Sequence, residues 1–321
     1  MPTAVSGSGR IRTNIPAANA YNALLYSNNR IAEHQLKLST GKRINSAADD
    51  VAGYITSRAL SARNGALRAA MNSAGDAKNV TAITQDALDN INGLLTQIKD
   101  AASLASSGAL ATDEKVALAK GAYRLAQQVQ FAVDSTVFGG KQLLQGAFSG
   151  SWVIGYYANN TLLTIGIDLT TNNTDFNVSG GDFNLNATDA AAYSAGAGAV
   201  ATNFAGVSGL SLQCLNDISN TNLGIFGTTQ IVATLTSLSD ALNNVNKVAS
   251  YLGGIQVRLN SQEELLQSQI TNYKAAISRI EDADVAQEQL DLIKNQFLQQ
   301  TSLISLAQAN QNPQSYLQLF R

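Results

Sequence analysis

Proline occurs three times in this 321-residue chain, at Pro2, Pro16 and Pro313, so between the last two no proline can end or kink a helix. Long apolar stripes at helical spacing fall inside that run. From Ile231, steps of four then three residues pick out Leu235, Leu238, Leu242, Val245, Ala249, Leu252, Gln256, Leu259, Glu263, Leu266, Ile270, Tyr273, Ile277 and Ile280. All but Gln256 and Glu263 can face an apolar seam, and a repeat sustained over so many heptads predicts coiled coil. At 1.5 Å per residue the helix would run roughly 75–80 Å, and a single stripe of that length needs partner helices to cover it.

The N-terminal half supplies them. The same steps from Ala17 give Tyr21, Leu24, Asn28, Ile31, Gln35 and Leu38, and Gly41 follows as a C-cap candidate. Ser46-Ala47-Ala48-Asp49 resembles a capping box that opens a second helix. Its apolar set is Val51, Ile55, Met71, Val80, Ile83, Leu88, Ile91, Leu95 and Ile98, and it ends near Ser107-Gly108. Thr112 suits the cap of a third helix, with Asp113 and Glu114 favourable to its dipole and Val116, Tyr123, Val129 and Val133 inside.

The middle of the chain changes character. Ser151–Tyr157 and Leu162–Asp168 read as strands flanking a turn-type Asn159-Asn160, which is a hairpin pattern. Phe176 to Leu185 is a candidate second short pair with a turn at Gly180-Gly181. The expected fold is mainly α with a β insertion: long coiled-coil helices from both termini packed together, with β-hairpins in the middle.

Composition narrows the function. Charged residues make up only 14% of the chain, against about a quarter in ordinary soluble proteins, so much of the surface is expected to be covered, with identical neighbours as one candidate. Lys+Arg 21 and Asp+Glu 23 form no basic block, which argues against nucleic acid. No stretch of 18 or more apolar residues occurs, so no membrane insertion is expected. MPTAVSGSGRIRTNIPAANA lacks an apolar core, so export would have to proceed without a cleaved signal peptide.

One histidine, His34, and one cysteine, Cys214, leave no internal disulfide and no Cys/His nucleophile pair; Cys214 reads as a small buried residue. There is no HExxH and no phosphate-binding glycine loop. Asp168, Asp175, Asp182 and Asp189 recur every seven residues, too far apart for a calcium loop. No catalytic residue, metal site or cofactor is expected. The glycosylation-type triplets at Asn79, Asn159, Asn172, Asn177 and Asn186 read as products of Asn/Thr-rich composition.

Four stretches carry a family resemblance. Leu38-Ser39-Thr40-Gly41-Lys42-Arg43-Ile44-Asn45-Ser46-Ala47-Ala48-Asp49-Asp50-Val51-Ala52-Gly53 resembles the LSTGxRINSAxDDAAG signature of flagellins. Phe138-Gly139-Gly140-Lys141-Gln142-Leu143-Leu144-Gln145-Gly146 is similar to their FNGxxLLDG stretch. Ser278-Arg279-Ile280-Glu281-Asp282-Ala283-Asp284-Val285-Ala286 resembles SRIxDADxA. The tail from Ala307 to Arg321 resembles AQANQxPQxVLxLLR.

The resemblance implies a structural subunit that is exported, polymerises with itself and forms the extracellular flagellar filament used in swimming. A hook–filament junction protein is the alternative. It implies a terminal coiled-coil domain (1–42 with 284–321) lining an inner tube. It implies a helical rod domain (43–170 with 225–283) carrying a hairpin at about 150–170, and a short variable surface insertion (171–224). Gly41, Asp282 and Asp284 would sit at the joints between tube and rod. Residues expected in tube assembly are Ala17, Tyr21, Leu24, Ile31, Leu38, Leu290, Ile293, Phe297, Ile304, Leu317, Leu319 and Phe320. Further partners implied are an export chaperone, the filament cap and hook-junction proteins.

Leu95 to Leu104 aligns with an LQRxRELAxQ segment that packs protofilaments in many flagellins and is read by vertebrate innate receptors. Lys99 and Asp100 keep its charge signs, whereas Gln97 replaces an arginine and Ala101 a leucine. The loss of a forked cation and an apolar anchor predicts a weak receptor contact.

Overall fold

The computed structural model describes residues 13–156, 162–170, 173, 205 and 218–319. Among these run five long helices: α1 (Ile15–Thr40), α2 (Val51–Ala105), α3 (Thr112–Ser135), α4 (Ile231–Glu281) and α5 (Val285–Leu319). Strands β1 (Val137–Phe138) and β2 (Lys141–Gln142) form one antiparallel pair, and β3 (Ser149–Tyr156) and β4 (Leu162–Asp168) another. The fold is thus mainly α with a β-hairpin in the middle of the chain, as the periodicity predicts. The strands expected between Phe176 and Leu185 lie outside the described residues, as do Cys214, Asn159, Asn172, Asn177, Asn186, Asp175, Asp182 and Asp189.

Two compact units are present, Met1–Gly65 with Ile270–Arg321, and Ala66–Gln269. The division falls inside α2 and α4, and the helix breaks near Gly41 and Asp282 both belong to the first unit. α2 and α4 continue unbroken for 55 and 51 residues.

The second unit has the larger core. Leu88, Ile91, Leu95 and Ile98 of α2 share one cluster with Val116, Val129 and Val133 of α3 and Leu238, Val245, Leu252 and Leu259 of α4. Ile154, Ile165 and Ile167 add the inner face of the hairpin to it. β3 and β4 pair from Ser149↔Asp168 to Tyr156↔Leu162, with a bulge between Val153 and Gly155. Two side chains of α4 hold the hairpin in place: Gln262 Nε2 donates to the Ile154 carbonyl at 2.9 Å, and the Tyr251 hydroxyl accepts from the Asp168 amide at 3.3 Å.

The seam of α4 is broader than the four-three stripe. Ala241, Val248 and Ile255 are fully buried, whereas their neighbours Leu242, Ala249 and Gln256 are only half-buried. Covering from several directions favours small and β-branched residues at the tightest positions. In α2, Val51, Ile55 and Ile83 point outward, contrary to the inward set expected for them. Thr81 and Thr84 are buried instead, because each hydroxyl donates to a carbonyl of its own helix, Lys78 and Val80 respectively, and leaves a methyl to pack.

Two cap assignments also change. Helix α2 begins at Val51, and Asp50 caps it by accepting from the Gly53 amide at 3.0 Å. Asp49 does reach back to the Ser46 amide, but within the preceding turn. In α3, Thr112 is the first helical residue and Ala111 the N-cap; Glu114 reaches back to the Ala111 amide at 3.1 Å. Asp113 accepts from Asn220 Nδ2 at 2.6 Å.

Candidate assembly surface on the terminal helices

In the first unit α1 and α5 pack antiparallel. Asn14 caps α1 through Oδ1, which accepts from the Ala17 amide at 3.1 Å, and Pro16 sits in the first turn where no donor is needed. The Asn14 Nδ2 group crosses to the Ala309 carbonyl at 2.7 Å. Further along, Gln299 Nε2 donates to Asn28 Oδ1 at 2.6 Å, and His34 Nδ1 lies 2.5 Å from Glu288 Oε2. Lys37 Nζ stands 2.8 Å from Glu33 and 3.9 Å from Glu288. Its hydrogen bond holds the Glu33 carboxyl below its ordinary range.

The seam between the two helices is therefore largely polar or small. α1 contributes Ala20, Ser27 and His34 as its buried positions, with Ala17, Leu24, Ile31 and Leu38 half-buried between them. The four-three stepping from Ala17 matches these last four, whereas at the other three steps Tyr21, Asn28 and Gln35 are exposed and the buried residue stands one position earlier. At Ala20 a close crossing admits only a small residue, and the adjacent tyrosine stays outside. On α5 the inward positions are Glu288, Leu292, Asn295, Gln299, Ser302, Leu306 and Ala309, again one heptad lattice.

The most exposed apolar residues of α5 lie on its opposite side. Leu290, Ile293, Phe297 and Ile304 follow a three-four-seven spacing, and at about 3.6 residues per turn that stripe sits diametrically across from the inward set. Phe297 is 69% and Ile304 70% exposed. Tyr21, Leu25, Tyr26 and Leu36 of α1 are exposed as well. Leu317 and Leu319 belong to the last turns of α5, and Phe320 lies outside the described residues. A monomer that turns polar groups inward and a leucine–isoleucine–phenylalanine stripe outward is built to be covered by something else.

The connections between helices are tied to each other. Gly41 adopts the left-handed conformation (φ 68°) that ends α1. The Gly41 carbonyl accepts from the Ala283 amide at 3.0 Å, and the Arg43 amide donates to the Glu281 carbonyl at 2.6 Å. Lys42 and Asp282 thus form an isolated antiparallel bridge. Asp284 starts α5 by accepting from the Ala286 and Gln287 amides.

Glu281, which the sequence reading did not single out, is the buried charge at this place. Lys42 Nζ lies 2.6 Å from its Oε2. That hydrogen bond, joined by one from Ser57 and the nearby charges of Lys42 and Arg58, holds its carboxyl below the ordinary range in spite of burial. In the second unit the degenerate receptor-like segment lies on α2, with Gln97 and Asp100 exposed and Lys99 and Ala101 half-buried.

Comparison with known proteins decides the family. Residues 11–149 match the bacterial flagellin N-terminal helical region, and residues 235–320 match the bacterial flagellin C-terminal helical region. The chain is 29% identical to flagellin of Bacillus subtilis (strain 168), over 97% of this chain and 100% of that one. It belongs to the flagellin family. This flagellin is also 26% identical to flagellin FlaB1 of Treponema pallidum (strain Nichols), over 97% of its own length and 99% of the relative's.

A solved putative flagellar hook-associated protein from Vibrio parahaemolyticus shares the fold (TM-score 0.54, 13% identity, 73% of this chain and 100% of that one). At that identity the likeness speaks for the fold alone, whereas the flagellin relatives align over nearly the whole length. This flagellin is a structural subunit of the flagellar filament, formed by self-polymerisation outside the cell. Among the described residues no helix is long and apolar enough to cross a membrane.

Proposed function

We propose that the paired helices α1 and α5 are the inner, tube-forming layer of this filament, and that the outward stripe Leu290, Ile293, Phe297 and Ile304 is its principal seam between copies. The inverted polarity of α5 carries this reading: its inward lattice is mostly polar while its outward lattice is apolar. Full burial of one such side chain is worth about 1.5–3 kcal/mol, so four of them shared between neighbours outweigh a polar crossing within the subunit. Copies related by a screw operation through contacts that do not close give a filament.

The layers follow the chain as 1–42 with 284–321 for the tube, 43–170 with 225–283 for the rod and 171–224 for the surface insertion. The bonded pair of helix breaks, at Gly41 and at Asp282 to Asp284, supports placing the joint there. Before assembly the same stripe is the natural contact for an export chaperone, and at the tip and base of the polymer for the cap and junction proteins. Gln97 and Ala101 make the α2 segment a poor ligand for innate receptors.

The test is a double substitution, Phe297→Asp with Ile304→Asp, in seeded polymerisation followed by electron microscopy. Circular dichroism checks that the variant monomer keeps its helix content. Expected are folded monomers and no filaments. Filaments of normal length from this variant would overturn the proposal.

A further inference from the structure

We infer that a groove on the second unit, between α2 and α3, receives the α4 face of a second copy of this chain, with Phe131 and Asp86 meeting Val257 and Arg258. The groove has a volume of about 490 Å³, and Asp86, Asn90 and Leu94 of α2 and Gln128, Phe131 and Ser135 of α3 are among its lining. Phe131 is 74% exposed, the largest exposure among the large apolar side chains of the described residues. An aromatic ring left in water beside a preformed concavity is the signature of an anchor awaiting a partner.

The partner follows from the polymer. Within a filament of identical subunits, another copy is the surface available at every groove. Charge then selects the element. Asp86 rims the groove and has no ion-pair partner among the described residues. A complementary surface therefore needs an exposed apolar side chain beside an unpaired cation.

The exposed apolar residues of the second unit are few enough to sort. Leu265 stands beside Glu263 and Glu264, which would repel Asp86. Ile83 is on the same helix as Asp86, and Val137 adjoins the groove's own wall at Thr136. Leu104, Leu162 and Val232 have no cation next to them in the chain. Val257 does: it is exposed, and the adjacent Arg258 is exposed and free of any ion pair among the described residues. The guanidinium can fork onto the Asp86 carboxylate while the valine covers the Phe131 ring.

The inference rests on the filament reading and goes beyond it in naming the second contact. Charge reversal tests it. Asp86→Arg and Arg258→Asp are each expected to raise the critical concentration for polymerisation at least about tenfold, and the two together to return it to within about threefold of the native chain. Single reversals that polymerise normally, or a double variant no better than either single, overturn it.

A covalent test runs alongside, with Phe131→Cys and Val257→Cys in a Cys214→Ser background. Oxidised filaments should run as a ladder of linked chains, which unpolymerised protein does not give. Filaments that form without a ladder overturn the contact. A ladder from Phe131→Cys alone would pair groove with groove and overturn the α4 assignment. A native chain that never polymerises would overturn the filament reading itself, a result distinct from all of these.

Discussion

Lys42 Nζ donates to Glu281 Oε2 at 2.6 Å, joining the residue after the first helix break to the last residue before the second. Glu281 is buried and Lys42 half-exposed, so the pair is screened on one side only. Removal of the carboxylate in Glu281→Ala should cost about 1 kcal/mol, between an exposed ion pair and a buried charged hydrogen bond. Thermal unfolding of the unpolymerised protein reads it directly.

Acid should act on the same place. Glu281, Glu33 and Asp49 all have carboxyls held below their ordinary ranges, by Lys42, by Lys37 and by the Ser46 and Asn45 amides respectively. Each takes up its proton more readily when unfolded. The stability they contribute is present above the unfolded carboxylate range, about pH 4, and is lost as pH falls through the lower folded values. Melting temperature should drop steeply below about pH 4. Glu281→Gln should flatten part of that drop, and an unchanged slope would count against the assignment.

Two helical glycines should respond oppositely to alanine. A Cβ at Gly53 would fall on the Asp50 carboxylate and 2.6 Å from Ile44 Cδ1, displacing the side chain that caps α2. Gly53→Ala should therefore destabilise by about 1–2 kcal/mol despite its better helix propensity. Gly93 sits mid-helix with open space around it, and Gly93→Ala should stabilise by about 0.5–1 kcal/mol. Denaturant titration of monomers separates the signs.

Gly41 gives a third backbone prediction. Its φ of 68° is a left-handed conformation that an L side chain adopts at a cost of about 1–2 kcal/mol. No atom crowds its Cβ position, so Gly41→Asn should restore much of what Gly41→Ala loses. Equal losses from both would point to crowding rather than backbone conformation.

The core of the second unit should fail in the ordinary way. Ile98 is fully buried, and Ile98→Ala should cost about 2–5 kcal/mol, measured as monomer stability. Phe297→Ala should leave monomer stability within about 0.5 kcal/mol, because its ring contributes only after assembly, yet raise the critical concentration about ten- to a hundredfold. The contrast between these two variants distinguishes folding from polymerisation.

Periodicity made the helices and the hairpin legible because each repeats a local preference many times. The pairing of β3 with β4 follows the alternation of apolar residues in the two segments, whereas the bulge between Val153 and Gly155 has no such signal. Exact seam positions were less legible. Ser27 and His34 carry no apolar signal, and His34 faces inward because the opposite helix supplies Glu288 to match it. A one-residue offset at alternate heptad positions was the consequence.

Caps failed for a similar reason. Ser46 and Thr112 have capping chemistry, but Asp50 and Glu114 satisfy the free amides from neighbouring positions. Glu281 was hidden inside the motif that named the family. Only the distance to Lys42, 239 residues away in the chain, shows what it does.

The rungs between Gly41 and Ala283 and between Arg43 and Glu281 have a mechanical consequence. The two chain segments run side by side here, stitched by backbone bonds and by the Lys42–Glu281 pair. Neither can pivot alone without tearing those bonds. A load on either segment is therefore shared with the other, and this pair of helix breaks resists twist as a ribbon does rather than yielding as a single tether.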